Sequence, residues 1–189
     1  MRTTQDDARE NKQIELFGIA PSQGRTNKYI HDGTITVQDK IYPIELKTWD
    51  TKRRMVSTAR NVTLKKIDEW KQVYWILSEY EKMPAGFKFT GEHYFMSAKQ
   101  LKSWFDKQEK KILAGTKFYG GLNDWRNVKN ILRENNVPNS TIDRLSNSFM
   151  NRVCGLNDPR IPWKYIKDHG TKINNNKLKD HVRELLLKA

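Results

Sequence analysis

Residues 31–48 have the sequence HDGTITVQDKIYPIELKT, in which apolar side chains alternate with polar ones. An alternation of period two is typical of a half-buried β-strand. We therefore expect one strand at residues 35–37, a turn at 38–40 and a returning strand at 41–48. Pro43 cannot donate a ladder hydrogen bond, which predicts an edge position or a bulge near the start of the second strand.

The returning strand carries two ionisable side chains on one face. Successive strand residues point to opposite sides, so Ile44 and Leu46 share one face, and Glu45 and Lys47 share the other. Asp32 precedes the first strand of the hairpin. Two carboxylates and one amine can therefore converge, and carboxylate oxygens beside an ammonium group suit Mg²⁺ binding and attack of water on a phosphodiester.

Around this hairpin the sequence predicts alternating helices and strands. A mixed central β-sheet flanked by helices, in an α/β or α+β core, accounts for that order. We expect all 189 residues to form a single domain. The predicted elements are a helix or arm ending near Gly18, a helix from Thr63 through Lys71, a strand at 73–77, a turn at 83–86, a strand at 93–96, a helix from Ser97 toward Leu113, helices at 125–135 and 141–153, an extended segment at 159–167, and a basic helix from 176 or 177 to 189.

The composition is strongly basic. The chain has 35 Lys and Arg against 22 Asp and Glu, a net charge of +13, which suggests a polyanion such as nucleic acid as partner, the alternative being an ordinary solvated surface. The longest apolar run, at 73–77, is too short to span a membrane, and Cys154 is the single cysteine. We expect a cytoplasmic protein without a membrane partner.

The Glu-x-Lys pattern alone is weak evidence for catalysis. Only Glu45 and Lys47 lie in an apolar β-pattern with an acidic residue upstream on the partner strand. The alternative is a cross-strand surface ion pair without chemistry. The same tripeptide pattern occurs at Glu10/Lys12, Glu69/Lys71 and Glu109/Lys111.

Several blocks of the chain resemble the PvuII-like type II restriction endonucleases of the PD-(D/E)xK nuclease superfamily. The resemblance covers about 24–113 and 157–189 and leaves 114–156 unmatched, so it implies a restriction-endonuclease-like core with a helical insertion at 114–156. The blocks are Gly24-Arg25, Glu45-Leu46-Lys47, Ser57-Thr58, Lys71-Gln72-Val73, Trp75-Ile76, Ile161-Pro162, Lys164-Tyr165 and His169-Gly170-Thr171-Lys172-Ile173.

The resemblance implies catalytic roles for Asp32, Glu45 and Lys47. The carboxylates of Asp32 and Glu45 and the carbonyl of Leu46 would hold Mg²⁺, and Lys47 would position the attacking water. Asp39 is a rival for the first acid, but it lies at the expected hairpin tip. The family has a tyrosine where this chain has Trp70, which cannot supply a hydroxyl group.

The resemblance also implies a surface that contacts double-stranded DNA. Three consecutive cations, at 52–54, are expected on phosphates, a task that carries no sequence information. Arg and Asn, in the loop where the family reads bases, suit guanine and adenine respectively. The DNA-contacting set is Lys52, Arg53, Arg54, Ser57, Thr58, Arg60, Asn61, Asn157, His169 and Lys172.

The expected function is a Mg²⁺-dependent, sequence-specific double-stranded DNA endonuclease that leaves 5′-phosphate and 3′-hydroxyl ends. A resolvase or repair nuclease of the same fold and a non-catalytic DNA-binding protein are the alternatives. A palindromic target would require a homodimer or a second subunit. The insertion could supply the dimer surface, since it carries two apolar helix faces: Trp125, Val128, Ile131 and Leu132 on one, and Ile142, Leu145, Phe149 and Val153 on the other.

Overall fold

The computed structural model has a central mixed sheet flanked by helices, which confirms the predicted fold class. None of the helices among the described residues is long and apolar enough to cross a membrane. The residues described are 5–22, 31–60, 62–118, 125–144, 156 and 158–189.

The elements follow the predicted order closely. The helices are α1 (Gln5–Phe17), α2 (Leu64–Trp70), α3 (Ala98–Phe118), α4 (Trp125–Glu134), α5 (Trp163–His169) and α6 (Leu178–Lys188). Residues 139–144 are also helical, and a 3-10 turn covers Asn175–Lys177. The strands are β1 (Ala20–Pro21), β2 (Gly33–Val37), β3 (Lys40–Asp50), β4 (Met55–Val56), β5 (Tyr74–Met83), β6 (Gly86–Met96), β7 (Ile161–Pro162) and β8 (Thr171–Lys172).

The main sheet has the order β1-β2-β3-β5-β6-β8, and β4 pairs separately with β7. Within the main sheet β3 and β5 run parallel, while the other neighbours are antiparallel. The register places Lys47, Leu77, Tyr94 and Lys172 opposite one another on successive strands. Residues in one cross-strand row point to the same face, so these four side chains share a face of the sheet.

The hairpin of β2 and β3 forms as predicted, with a two-residue turn at Gln38 and Asp39. Both turn residues have positive φ, 50° and 62°, as this kind of tight hairpin requires. Pairing of β3 with β5 begins at Ile44, so up to Pro43 only one side of β3 is paired within the sheet. At Gly33 a Cβ would lie 2.7 Å from the carbonyl oxygen of Ala20, so the pairing of β1 with β2 requires glycine there.

The core of the sheet lies between β2, β3, β5 and β6 on one side and α1 and α6 on the other. Its members are apolar side chains that the strand alternation and the amphipathic helices direct inward. The cluster contains Phe17, Ile19, Ile35, Val37, Tyr42, Ile44, Leu46, Ile76, Phe95, Ile173, Val182 and Leu186.

The chain divides into two compact units. The first contains Met1–Ser57, Glu69–Lys102 and Arg160–Ala189, and the second contains Thr58–Asp68 and Ser103–Pro159. The predicted insertion at 114–156 lies within the second unit, which is therefore larger than the insertion. A single domain stays a prediction.

The two apolar faces predicted for the insertion are described only in part. In α4, Ile131 is 54% exposed, whereas Ile142 in the following helical turn is buried. The side chains of Trp125 and Val128 lie outside the described part of the chain. So do Leu145, Phe149 and Val153, and a role for this region in dimerisation stays a prediction.

The extended segment predicted at 159–167 is wrong from Trp163 onward, where α5 begins. Pro162 has extended backbone and immediately precedes the helix. The helix is seven residues long and buries Ile166, so one apolar position is too little to reveal a helical period in the sequence. The ammonium of Lys167 lies 4.0 Å from the ring centroid of Trp163, one turn earlier.

Candidate active site

Asp32 lies where β2 begins and uses its side chain to continue the pairing of β3. Its backbone N–H donates to the carbonyl of Ile44 at 3.0 Å, and Gly33 is the last residue of β2 paired in that direction. The N–H of Leu46, two residues further along β3, donates to Oδ2 of Asp32 at 2.7 Å. The carboxylate of Asp32 therefore accepts a hydrogen bond from β3 beyond the point where β2 pairs with it. This bond fixes the carboxylate beside the residues that follow Ile44.

The structure brings Asp32, Glu45 and Lys47 together. The ammonium of Lys47 lies 2.6 Å from Oε1 of Glu45 and 3.6 Å from Oδ2 of Asp32. It also donates to the carbonyl of Leu46 at 2.9 Å. The side chains of Glu45 and Lys47 are only 6% and 16% exposed, so the alternative of a solvated surface ion pair does not describe this group.

The charge of Lys47 is stabilised within this group. Burial alone would lower the pKa of the ammonium, but the carboxylates of Asp32 and Glu45 outweigh burial and raise the pKa above its ordinary value. The side chain is therefore protonated at neutral pH. In this state Lys47 can donate hydrogen bonds and stabilise negative charge.

Asp39, the rival acid, lies elsewhere in the hairpin. It is exposed in the turn between β2 and β3, and the register places Lys40, beside it, opposite Val37 at the tip. Glu45 lies beyond Ile44, at the opposite end of the paired segment. The geometry therefore favours Asp32 as the acid that accompanies Glu45.

Trp70, at the end of α2, contacts the site through its indole N–H. The N–H donates to Oε1 of Glu45 at 3.2 Å, and the side chain is completely buried. Sequence reasoning noted only that tryptophan lacks a hydroxyl group and missed this bond. Trp70 and Glu45 are 25 residues apart in the chain, so a local sequence pattern contains no sign of their contact.

The helix α1 contributes two polar side chains that sequence reasoning also missed. Gln13 is buried and donates to the carbonyl of Lys47 at 3.3 Å and to the hydroxyl of Ser78 at 2.9 Å. Arg9 donates to the hydroxyl of Thr48 at 3.2 Å. Arg9, Gln13 and Phe17 recur every four residues and therefore lie on one face of α1. Two polar residues on the apolar face of a helix are the sequence signal that could have indicated these contacts.

The site offers a suitable set of ligands for Mg²⁺. One oxygen each from Asp32, Glu45 and Leu46 surrounds the ammonium of Lys47. These are the three residues that the resemblance assigns to the metal, and carboxylate and carbonyl oxygens are hard ligands suited to Mg²⁺. No group of three or more His, Cys, Asp or Glu side chains in the described ranges is arranged to hold a metal, so the set rests on two carboxylates and a carbonyl.

A second lysine and carboxylate group lies on the same face of the sheet, on β6 and β8. Glu92 accepts hydrogen bonds from Lys172 and, at 2.8 Å, from the hydroxyl of Tyr94. The ammonium of Lys167 lies 3.9 Å from the same carboxylate. Burial would raise the pKa of Glu92, but the hydrogen bonds from Lys172 and Tyr94 outweigh it and lower the pKa below its ordinary value.

The predicted phosphate contacts of the first unit are exposed. Lys52, Arg53 and Arg54 follow β3 in a turn in which Asp50 accepts from the backbone N–H groups of the first two. Ser57 is exposed as well. Three cations therefore project from the turn at the end of the strand that carries Glu45 and Lys47.

The other predicted contacts of the first unit lie on α5 and β8. Lys172 is 54% exposed and belongs to the cross-strand row of Lys47, at roughly 14 Å for three strand spacings. The ring of His169 packs 4.3 Å from that of Tyr165. The carbonyl of His169 accepts from Gln100 at 2.8 Å, so this residue also has a structural role.

In the second unit, the predicted DNA contact Thr58 is hydrogen-bonded to other residues of that unit. Its hydroxyl donates to the carbonyl of Pro159 at 2.7 Å, and its N–H donates to the carboxylate of Asp158 at 2.8 Å. Its hydroxyl therefore forms a hydrogen bond within the unit. Arg60 is exposed, while Asn61 and Asn157 lie outside the described residues.

Comparison of the sequence with models of known protein families and with characterised proteins found no match. The resemblance to restriction endonucleases therefore stays a prediction.

Proposed function

We propose that this protein is a Mg²⁺-dependent endonuclease that cuts double-stranded DNA at a specific sequence, as a type II restriction enzyme does. The observation that carries the proposal is the convergence of Asp32, Glu45, the Leu46 carbonyl and Lys47 in a largely buried group. Two carboxylates and a carbonyl are suitable ligands for Mg²⁺, and a protonated amine beside them can assist hydrolysis of a phosphodiester.

The residues of the site have different roles. Asp32, Glu45 and Leu46 would hold Mg²⁺, which when bound supplies a water of lowered pKa and neutralises charge on the phosphate. The ammonium of Lys47 orients the attacking water and stabilises the negative charge that develops on the phosphate oxygens. Attack on phosphorus with loss of the 3′ oxygen leaves 5′-phosphate and 3′-hydroxyl ends.

The charge of the protein supports DNA as the substrate. The net charge of +13 favours binding to a polyanion with release of counterions. In the first unit, exposed cations occur at 52–54, directly after β3, and Lys172 shares the sheet face of Lys47. A symmetric cut in both strands would require a homodimer or a second subunit.

Digestion of plasmid DNA with Mg²⁺ tests the proposal. Discrete fragments are expected from the intact protein, and no fragments from Glu45→Ala, which should still retard a DNA duplex in a gel. A smear, or cleavage confined to four-way junctions, would favour the resolvase or repair nuclease. DNA binding without cleavage would favour a non-catalytic protein.

A further inference from the structure

The carboxylate of Glu45 accepts two hydrogen bonds on one oxygen, from donors of different character. Lys47 Nζ lies 2.6 Å from Oε1, and the indole N–H of Trp70 lies 3.2 Å from the same atom. Glu45 is 5% exposed, so water reaches little of this carboxylate. Protein donors therefore stabilise and orient its charge.

The two donors differ in how firmly they are held. Lys47 donates to Glu45 and to the carbonyl of Leu46, and its ammonium lies 3.6 Å from Asp32. The ammonium is carried on a flexible four-carbon stem, whose rotation can turn it toward a water or a phosphate. Trp70 is fully buried, and its ring packs edge-on against that of Trp75 at 5.2 Å. The indole N–H of Trp75 donates to the carbonyl of Trp70 at 3.4 Å, which fixes the backbone at the end of α2 as well.

Trp75 is also the neighbour of Glu45 across the sheet. The register of β3 with β5 pairs Glu45 with Trp75, so both side chains point to the same face. Trp70 contacts both, by a hydrogen bond to one and by ring packing against the other. The orientation of the carboxylate is thus tied to two rigid aromatic side chains.

We propose that Trp70 is a positioning residue, whose indole N–H keeps the carboxylate of Glu45 turned toward the cation whatever Lys47 contacts. The inference rests on the proposed function and deepens it. Indole is a donor only, so it can neither bind the cation nor exchange a proton with the reacting groups. It adds no charge to a site where a second ammonium would weaken cation binding.

Binding of Mg²⁺ to the intact chain, measured by calorimetry without DNA, is the decisive readout. Loss of a group that orients a metal ligand typically weakens metal binding 10- to 100-fold. We expect a loss of roughly that size for Trp70→Phe. The rate of DNA cleavage should fall at low Mg²⁺ and recover as Mg²⁺ is raised, because the defect lies in cation binding.

The chain offers a matched control in Trp49. This side chain is also buried, and its indole N–H donates to Oε1 of Glu79 at 3.1 Å. Trp49→Phe is therefore the same substitution, and it removes the same kind of hydrogen bond from a glutamate outside the site. We expect its Mg²⁺ affinity to stay within about threefold of the intact protein, a difference below 1 kcal/mol.

A second variant separates the N–H from the shape of the ring. Replacing Trp70 with 3-benzothienylalanine keeps the bicyclic ring but puts sulfur in place of N–H, and it should reproduce the loss seen with Trp70→Phe. Wild-type affinity in that variant, or equal affinities for Trp70→Phe and Trp49→Phe, would overturn the inference. An intact protein that binds no Mg²⁺ and cuts no DNA would instead overturn the proposed function, and the inference with it.

Discussion

Two groups of lysine and carboxylate side chains lie on one face of the same sheet, and they differ in burial and in net charge. The group of Asp32, Glu45 and Lys47 contains two carboxylates and one ammonium, a formal charge of −1, and its lysine side chain is 16% exposed. The group of Glu92, Lys167 and Lys172 contains one carboxylate and two ammonium groups, a formal charge of +1, and the side chain of Lys172 is 54% exposed.

The difference shows how one kind of ion pair can serve two tasks. A buried group with excess negative charge attracts a cation, and low exposure makes each Coulombic interaction stronger than it is in water. An exposed group with excess positive charge suits a phosphate, but contributes little to stability because water screens it. Burial and the ratio of acids to bases therefore distinguish the two groups.

The largest expected effect concerns cleavage. Lys47→Ala should lower the rate of cleavage roughly 1,000-fold or more, because it removes a charge that stabilises the transition state. Specific DNA binding should remain measurable by gel shift. Lys172→Ala should instead raise the DNA concentration needed for half-maximal rate. A Lys47→Ala protein that cuts at nearly the wild-type rate would contradict the catalytic assignment.

The next effect concerns stability. Lys47→Met removes the ammonium from the buried carboxylate of Glu45 and from the partly exposed carboxylate of Asp32. This change should lower the free energy of unfolding by about 3 kcal/mol. Lys172→Met should lower it by less than about 1 kcal/mol. Urea unfolding measures both changes, and Mg²⁺ should recover part of the loss in the first variant. Equal losses in the two variants would show that burial does not separate the groups.

DNA binding gives a smaller and more selective effect. Arg60→Ala should cost about 1 to 3 kcal/mol of binding free energy with the cognate duplex only, if this side chain reads a base. Lys172→Ala should weaken binding to all duplexes alike and lower the slope of log affinity against log salt by about 1. Titrations of cognate and random duplexes at several salt concentrations distinguish them. Equal losses on both duplexes for Arg60→Ala would exclude base reading.

The smallest effect concerns the pH dependence of stability. Because the pKa of Glu92 lies below its ordinary value of 4.5, its contribution to stability is present above that pH and is lost as the pH falls below it. Glu92→Gln should therefore lower the free energy of unfolding at pH 7, by less than about 1 kcal/mol, and by less still at pH 3. A difference between variant and wild type that grows toward low pH would contradict the pairing of Glu92 with Lys172.

The sequence predicted those parts of the site that depend on local pattern. Alternation along residues 41–48 was enough to put Glu45 and Lys47 on one face, and the turn at Gln38 and Asp39 explained why Asp32 is the nearer acid. These features depend on strand period and turn position, which are read from neighbouring residues.

Contacts between distant segments could not be predicted in the same way. Trp70 and Glu45 are 25 residues apart in the chain, and Glu92 and Lys172 are 80 residues apart. Thr58 is a further example, because its hydroxyl donates to the carbonyl of Pro159, 101 residues further along the chain. Propensity and spacing contain no information about such partners.

The pairing of Asp32 with the strand beyond Ile44 has a consequence for how such sites diverge. The hairpin pairs Gly33 with Ile44. The interval of thirteen residues from Asp32 to Glu45 therefore depends on the length of the two hairpin strands and their turn, and does not set the distance between the two carboxylates. An insertion of two residues in each hairpin strand would keep the alternation of the strands, lengthen that interval by four and leave both carboxylates side by side. Proteins with this arrangement can therefore share a constant geometry while the interval between their acids varies, and a search for a fixed spacing would overlook them.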